Sequence, residues 1–301
     1  MKKLLIFLLL ALSLSAFGQM DKKKMMFMLM SSSVSDVNPN IALGKALLTK
    51  NAKTRAYWDF TQIVGDDWDT LTAHPDSSIN GTYNLINNSG ALLPSLGFFN
   101  VGEKVISTLR ANTSSGTNNA FITSQVATAL GNGEREYHTL FSLQDGQTSD
   151  GGRLAGVFPN TGNSIIIKVS PSGVIYFRWG LPPGTVYCEY RSDSAVIANG
   201  VTDIHLLRIR MSSTSVTMML DGVNVPCSLY AGVAISTVNL SSYATTLPYG
   251  VGGVWGNFPS VFRIDDGPSY KYIIKHAVTD LLTDEEYLQL VASFNDFTSV
   301  Y

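Results

Sequence analysis

The stretch from Asp203 to Val225, DIHLLRIRMSSTSVTMMLDGVNV, constrains this chain more than any other. His205, Leu207, Ile209 and Met211 fall on one side of an extended backbone, with Leu206, Arg208 and Arg210 on the other. After the polar break Ser212-Ser213-Thr214, Val216, Met218 and Leu220 alternate with Ser215, Thr217, Met219 and Asp221. Period-two alternation on both sides of a short polar break predicts a β-hairpin with one buried face. Asp221-Gly222 supplies the residues a tight turn prefers, leading into Val223-Asn224-Val225.

Extended segments of this kind recur with turn residues between them. They read as Gly81 to Asn87, Phe121 to Ala129, His138 to Leu143, Ser164 to Val169, Val174 to Trp179, Thr185 to Arg191, Val233 to Val238, Gly250 to Trp255, Val261 to Ile264 and Tyr270 to His276. The pair around Pro171-Ser172-Gly173 reads as a second hairpin. About a dozen short strands with no interspersed helical period predict an all-β antiparallel sandwich rather than a βαβ sheet. Helical spacing appears at the end, where Thr283 and Glu286 stand as N-cap and N3 of a capping box and Tyr287, Leu290 and Val291 share a face. Only 15 % of the residues are charged and 26 are Gly, which fits a secreted β-rich chain of one domain. With a net charge of −2 and no basic block beyond the N-terminal region, a nucleic-acid partner has no electrostatic basis.

The N-terminus reads as an export signal. Lys2-Lys3 precedes an apolar run from Leu4 to Leu12, and Ala16-Phe17-Gly18 offers small residues for cleavage before Gln19. The run is shorter than the roughly 20 residues that span a bilayer, so residues 1–18 are expected to be removed and no membrane span to remain. No Cys follows it, so lipid attachment has no acceptor. Residues 19–55, with Lys22-Lys23-Lys24 and the run Met25 to Met30, read as an arm or linker containing a short helix from Ile41 to Lys50. The globular domain is expected from residue 56 to 301.

Four stretches carry a resemblance. Tyr57-Trp58-Asp59-Phe60, YHTLFSLQDG from Tyr137, IHLLRIRMSSTSVTMMLDGV from Ile204 and YKYIIKHAVTDLLTDEEYLQL from Tyr270 occur in an order that resembles the concanavalin A-like domains of the laminin G type. Asp203-Ile204-His205 departs from that pattern in lacking a tryptophan before the histidine, and Tyr230 to Pro259 matches none of it. The resemblance implies a two-sheet jelly roll whose concave face and rim loops bind glycans or proteins, sometimes through calcium.

Catalytic layouts are missing. The six glutamates, Glu103, Glu134, Glu136, Glu189, Glu285 and Glu286, do not form the E-x-D-x-(x)-E strand that resembling glycosidases carry. Glu134 and Glu136 flank Arg135 beside Gly131-Asn132-Gly133 and read as a solvated loop end. His74, His138, His205 and His276 are scattered and read as structural. No G-x-S-x-G, H-E-x-x-H or phosphate-binding glycine loop occurs. Candidate calcium ligands are Asp66, Asp67 and Asp69 in one loop and Asp265 and Asp266 in another, since hard cations take several oxygen ligands. Trp68 and Trp255, in Gly- or Asp-rich contexts, are the candidate ligand-binding aromatics, whereas Trp58 and Trp179 read as core. Cys188 and Cys227, the two cysteines of an exported chain, are expected to form a disulfide. These features predict a secreted, non-catalytic module that recognises a glycan or cell-surface protein. The alternative is a structural unit that self-associates in an extracellular or viral assembly. A hydrolase on the same fold is disfavoured by the missing carboxylate spacing.

Overall fold

Alternation writes most of this fold directly into the backbone. The computed structural model describes residues 38–62, 73–87, 95–101, 104–111, 121–143, 152–157, 164–170, 172–180, 186–197, 203–245, 247–252 and 271–297. The export signal 1–18, the Met25 to Met30 run and the strand expected at Val261 to Ile264 lie outside the described residues.

Among the described residues, seventeen strands form two antiparallel sheets. In chain order they are β1 (Thr54–Asp59), β2 (Ala73–His74), β3 (Leu85–Asn87), β4 (Ser95–Val101), β5 (Lys104–Ala111), β6 (Phe121–Val126), β7 (Arg135–Leu143), β8 (Gly152–Val157), β9 (Ser164–Val169), β10 (Ile175–Gly180), β11 (Tyr187–Ser192), β12 (Ile204–Met211), β13 (Val216–Leu220), β14 (Val223–Val225), β15 (Cys227–Gly232), β16 (Pro248–Val251) and β17 (Lys271–Thr279). Three helices accompany them: α1 (Pro39–Lys50), the single turn α2 (Thr128–Gly131) and α3 (Asp284–Phe294). One sheet runs β14-β13-β12-β7-β17-β5-β4, with β1 also paired to β17; the other runs β15-β11-β10-β9-β8-β16-β6-β3-β2. The expected antiparallel sandwich with a C-terminal helix is therefore the observed fold.

The main core lies between the sheets. Leu207, Ile209 and Met211 of β12, with Val216, Met218 and Leu220 of β13, meet Ile165, Ile167, Phe177 and Trp179 from the other sheet. Trp58 and Trp179 are fully buried, and each indole N–H donates to a backbone carbonyl, Tyr83 O and Gly131 O respectively, at 2.9 Å. The second hairpin forms where Ser172-Gly173 predicts it, with Gly173 at φ +79 donating to Ser170 O.

The opposite face of the eight-stranded sheet departs from the expectation of a hairpin with one buried face. Leu206, Leu140, Tyr57, Ile274 and Ala277 point away from the main core and pack under α1 and α3 in a second apolar cluster with Leu47, Leu48, Leu290 and Phe294. Of the residues 19–55 read as an arm or linker, 39–55 belong to the compact unit. The helix forms, but its Leu47 and Leu48 are core residues, and the compact unit begins at Pro39 rather than Ala56. Charge did not reveal this because a weakly amphipathic dodecapeptide needs a partner to be stable. The partner is α3, whose capping box forms as predicted: the Glu286 N–H donates to Thr283 Oγ1, and the Thr283 N–H donates to Glu286 Oε2. Lys53 joins Glu286 at 2.6 Å and Lys45 joins Asp296 at 2.7 Å, fastening both ends of the pair.

Gly44 lets the two helices touch. A Cβ there would stand 2.0 Å from the carbonyl oxygen of Gln289 and 2.8 Å from Ser293 Cβ. Backbone cannot yield as a side-chain tip does, so Gly44→Ala is expected to destabilise by roughly 1–3 kcal/mol through overpacking. A urea melt checks this: the midpoint should fall with an unchanged slope.

One expected strand is absent. Val233 to Val238 holds the 3-10 turn Ile235–Thr237, in which Ile235 is anchored in the core and its N–H donates to Tyr190 Oη. β15, placed just before it, was not expected.

Candidate functional site: the open face of the nine-stranded sheet

Three polar clusters inside the molecule are closed to solvent. Glu136, read from sequence as part of a solvated loop end, sits in β7 with 0 % exposure under α3. Its carboxylate accepts from Arg208 Nε at 3.0 Å and Nη2 at 2.8 Å, and from the Leu282 N–H at 3.2 Å. His138 Nε2 lies 3.3 Å away, and Arg208 rests 4.0 Å over the Tyr287 ring. Burial alone would raise the Glu136 pKa, but hydrogen bonds from His138 and Arg208 outweigh it and hold it at about 2. Glu134 does stay at the loop end, where it accepts from the Ser213 N–H. The two carboxylates are thus divided between core and surface, and Glu136 anchors the helix rather than facing a substrate.

His276 is the second cluster. It stacks on Trp58 and on Tyr249, both with centroids 5.7 Å away, and its nitrogens meet Thr139 Oγ1 at 2.9 Å and Tyr249 Oη at 3.0 Å. Lys275 makes the third: its ammonium donates to the Ser293 carbonyl at 3.0 Å and lies 3.7 Å from Asp59. His205 pairs with Asp221 at 2.9 Å, closing the Asp221-Gly222 turn, where Asp221 takes φ +53. The structural reading of these histidines agrees with their contacts.

The sequence-predicted residues Trp68, Trp255, Asp66, Asp67, Asp69, Asp265 and Asp266 lie outside the described residues. Among the described residues, no group of three or more His, Cys, Asp or Glu side chains could hold a metal, and no helix is long and apolar enough to cross a membrane.

The expected disulfide between Cys188 and Cys227 is corrected by the strand register. β11 and β15 pair so that Cys188 faces Gly232, while Cys227 faces Ser192 at the other end of β11. Four residues of strand separate the two positions by about 13 Å, well beyond the ~7 Å limit for a bridge. Both are free thiols, Cys188 donating to Trp179 O and Cys227 to Val216 O. Burial pushes the Cys188 thiol up to about 12 and raises that of Cys227. Without reductant, the denatured chain should therefore titrate as two thiols with a thiol reagent, and the native chain should leave Cys188 unreacted. Recovery of no free thiol after denaturation would restore the bridge.

The exposed chemistry lies on the outer face of β9, β10, β11 and β15. Alternation turns Ile165, Ile167, Phe177 and Trp179 inward and leaves Lys168, Tyr176 and Arg178 outward; β11 adds Tyr187, Glu189 and Arg191. In register, Lys168 stands opposite Tyr176, Tyr176 opposite Arg191, and Arg191 opposite Ser228. Arg191 is held between two rings, 4.2 Å from the centroid of Tyr176 and 3.1 Å from that of Tyr230, while Lys168 sits 4.7 Å over Tyr176. Glu189 pins the array: one oxygen accepts from Arg191 Nε at 2.8 Å and Nη2 at 2.6 Å, the other from Arg178 Nε at 2.9 Å. Burial works against the Glu189 carboxylate, but both guanidinium groups together keep its pKa low.

Tyr187 lies close against glycine. A Cβ on Gly180 would meet Tyr187 Cα at 2.4 Å, and one on Gly232 would meet the Tyr187 carbonyl oxygen at 2.0 Å. Arg178 lies over the Tyr187 ring at 5.1 Å. The face is therefore a fixed lattice of tyrosine rings and guanidinium planes, with Tyr230 62 % exposed at its edge. Sequence reasoning passed over it by seeking tryptophan in loops. The available signal was Tyr and Arg, in place of Ser and Thr, at the outward positions of consecutive strands.

No protein-family model and no curated protein matches this chain. Solved structures do resemble it. The binding domain of botulinum neurotoxin DC, solved in complex with rat synaptotagmin II, is similar over 82 % of this chain and 52 % of that one, at 10 % identity and a TM-score of 0.53. The binding domain of Paraclostridial Mosquitocidal Protein 1 matches over 82 % and 53 %, at 12 % identity and a TM-score of 0.52. A receptor binding domain matches over 86 % and 54 %, at 10 % identity and 0.54. The chain spans about half the length of these domains. At such identity the likeness establishes the fold alone, a two-sheet antiparallel β-sandwich, and does not single out the laminin G type.

Proposed function

We propose that this chain is an exported, non-catalytic binding module that takes a glycan or a glycan-bearing cell-surface ligand on the open face of its nine-stranded sheet. The observation that carries this reading is the Tyr176–Arg191–Tyr230 stack, in which Arg191 fixes both rings and Tyr230 is exposed at the edge. Pre-fixed aromatic rings give up little side-chain entropy on binding and offer π-faces to the C–H edges of sugars. Solved structures of the same fold include a receptor binding domain and the binding domain of a neurotoxin, which is consistent with this role. The closure of Glu136 beneath α3 supports a non-catalytic assignment, because the carboxylate is spent on Arg208 and the Leu282 amide. Asp66, Asp67, Asp69, Asp265 and Asp266 are proposed as calcium ligands that would shape rim loops, with Trp68 and Trp255 as further aromatic contacts.

A glycan-array screen of residues 19–301, run with calcium and with chelator, tests the reading. Binding to one glycan class that is lost in Tyr230→Ala is the expected result. Binding that survives Tyr230→Ala but disappears with chelator would move the site to the acidic loops.

A second reading has an observation of its own. β15 ends the nine-stranded sheet with the uncharged sequence Cys-Ser-Leu-Tyr-Ala-Gly, and Leu229 beside Tyr230 is exposed. Sheet edges usually carry charge or proline against pairing with another chain, so self-association through β15 is the alternative. Sedimentation over a concentration series separates the two: silence on the array together with a concentration-dependent dimer would favour assembly.

A further inference from the structure

We infer that a second copy of this chain completes the open face. Two β15 strands pair antiparallel about a two-fold axis, and the Tyr176–Arg191–Tyr230 stacks of both copies come to lie on one continuous surface. The inference rests on the binding-module reading above for the use of that face, and adds the partner that shares it.

β15 is an edge left open. Among the described strands it pairs with β11 alone, and Ser228, Leu229, Tyr230 and Gly232 are exposed. Sheets protect an edge by keeping it short, charging it or placing proline in it. The opposite edge of this sheet, β2, is two residues long. β15 has six residues, none charged and none proline. Its one irregularity is a bulge: Ala231 faces Glu189 and Leu229 faces Tyr190, so Tyr230 is the extra residue. The Tyr230 ring lies against Arg191, and Cys227 to Leu229 stay in regular register.

Antiparallel neighbours are related by a two-fold axis perpendicular to the sheet, so β15 supplies its own complement and the contact closes as a dimer. That axis keeps the outer faces of both copies on the same side. Charge favours a copy as the occupant, because β15 itself brings none to the axis. On the stacks, the Arg191 of each copy stand three strand spacings apart, about 14 Å. The Debye length at 0.1 M salt is about 10 Å, so their repulsion is screened. From Tyr176 to its counterpart the joined rows run five spacings, about 24 Å. A ligand with repeating units would engage both rows and gain by avidity.

Sedimentation equilibrium and hydrogen exchange at several concentrations of the full chain test this. A monomer–dimer equilibrium is expected, with β15 amides gaining protection as the concentration rises. Leu229→Lys installs an inward-pointing charge of the kind that protects natural edges. Leu229 stands opposite Tyr190, which packs against the main core, so the new charge lies away from the stack. It should raise the dimer dissociation constant about tenfold or more, through like charge across the axis, with circular dichroism showing an intact fold. Leu288→Lys, at an exposed leucine of α3, should leave the dimer as it was. On the glycan array the Leu229→Lys chain should be retained about tenfold more weakly than the unmodified one, since avidity is lost. A chain that stays monomeric, or a dimer that Leu229→Lys leaves unchanged, overturns the inference; the array screen then judges the binding module by itself, because a monomer can bind. A folded Leu229→Lys monomer retained as strongly as the unmodified chain overturns the shared surface. Silence of both chains on the array overturns the binding-module reading and this inference with it, leaving any pairing through β15 as assembly alone.

Discussion

Glu136→Gln is expected to destabilise the protein by roughly 3–5 kcal/mol, the usual cost of removing one partner from a buried ion pair. The substitution keeps the volume but leaves the Arg208 guanidinium, 4 % exposed, without its counter-charge. The amide can accept on one atom only, so either the Arg208 Nε or the Nη2 hydrogen bond must be lost, leaving an amide N–H facing a guanidinium N–H. The Leu282 N–H, which fixes the entry to α3, competes for the same oxygen. In a domain of about 250 residues each kcal/mol moves the melting temperature by about 2–4 °C, so a drop near 10 °C should be seen. The double variant Glu136→Gln/Arg208→Met should recover most of the loss, because a well-packed apolar pair frequently equals a buried salt bridge. A melt shifted by less than about 1 kcal/mol in the single variant would show that the carboxylate is dispensable to the fold. Tyr287→Ala, removing the ring beneath Arg208, should loosen α3 in the same direction.

How much of this was legible in the sequence follows from what each residue's neighbours are. The β12–β13–β14 run could be read because its alternation is local: every residue that sets the face of Leu207 lies within a few positions of it. The capping box of α3 could be read for the same reason. Glu136 could not, since the groups that decide its state, Arg208 and Leu282, arrive from 72 and 146 residues away. Beside Gly131-Asn132-Gly133 its local context says turn, and only the layer of α1 and α3 over the sheet makes it core. The same layer explains why Leu206 and Arg208, which alternate to the apparently solvent side, are buried. The disulfide reading failed on register: two cysteines on paired strands suffice in sequence, but β11 and β15 bring opposite ends together. The Tyr–Arg lattice was half visible, in that Tyr176 and Arg178 alternate outward within one strand. Its cross-strand stacking with Arg191 and Tyr230 depends on the register of three further pairings.

Acid should unfold this protein well before its carboxylates titrate, and His276 is the main reason. Enclosed by Trp58 and Tyr249, it pays the full penalty of burial for carrying charge, and its pKa falls from 6.5 to about 3. The unfolded chain takes up a proton on this side chain near its ordinary value, while the folded chain does not. Between pH 6.5 and about 3 the unfolded state therefore binds more protons, and stability falls as the pH falls. The slope approaches 1.4 kcal/mol for each pH unit per histidine, so His276 alone removes about 3 kcal/mol over the first two units. His74, buried against Phe60 and lowered to about 4, adds a loss of the same sign, and His138, lowered by burial, adds another. Glu136 enters later: held at about 2 against 4.5 when unfolded, it contributes stability that is lost as the pH falls from 4.5 to about 2. Two stages should thus appear in urea midpoints taken across acid pH, a histidine stage first and a carboxylate stage after it. His276→Gln, which can still meet Thr139 and Tyr249 but cannot titrate, should lower stability at neutral pH and flatten the first stage by close to one proton. If the midpoint of the unmodified chain stays level until the carboxylate stage, the sandwiched imidazole is not the acid-sensitive element, and the Trp58–His276–Tyr249 stack must tolerate a cation that its burial argues against.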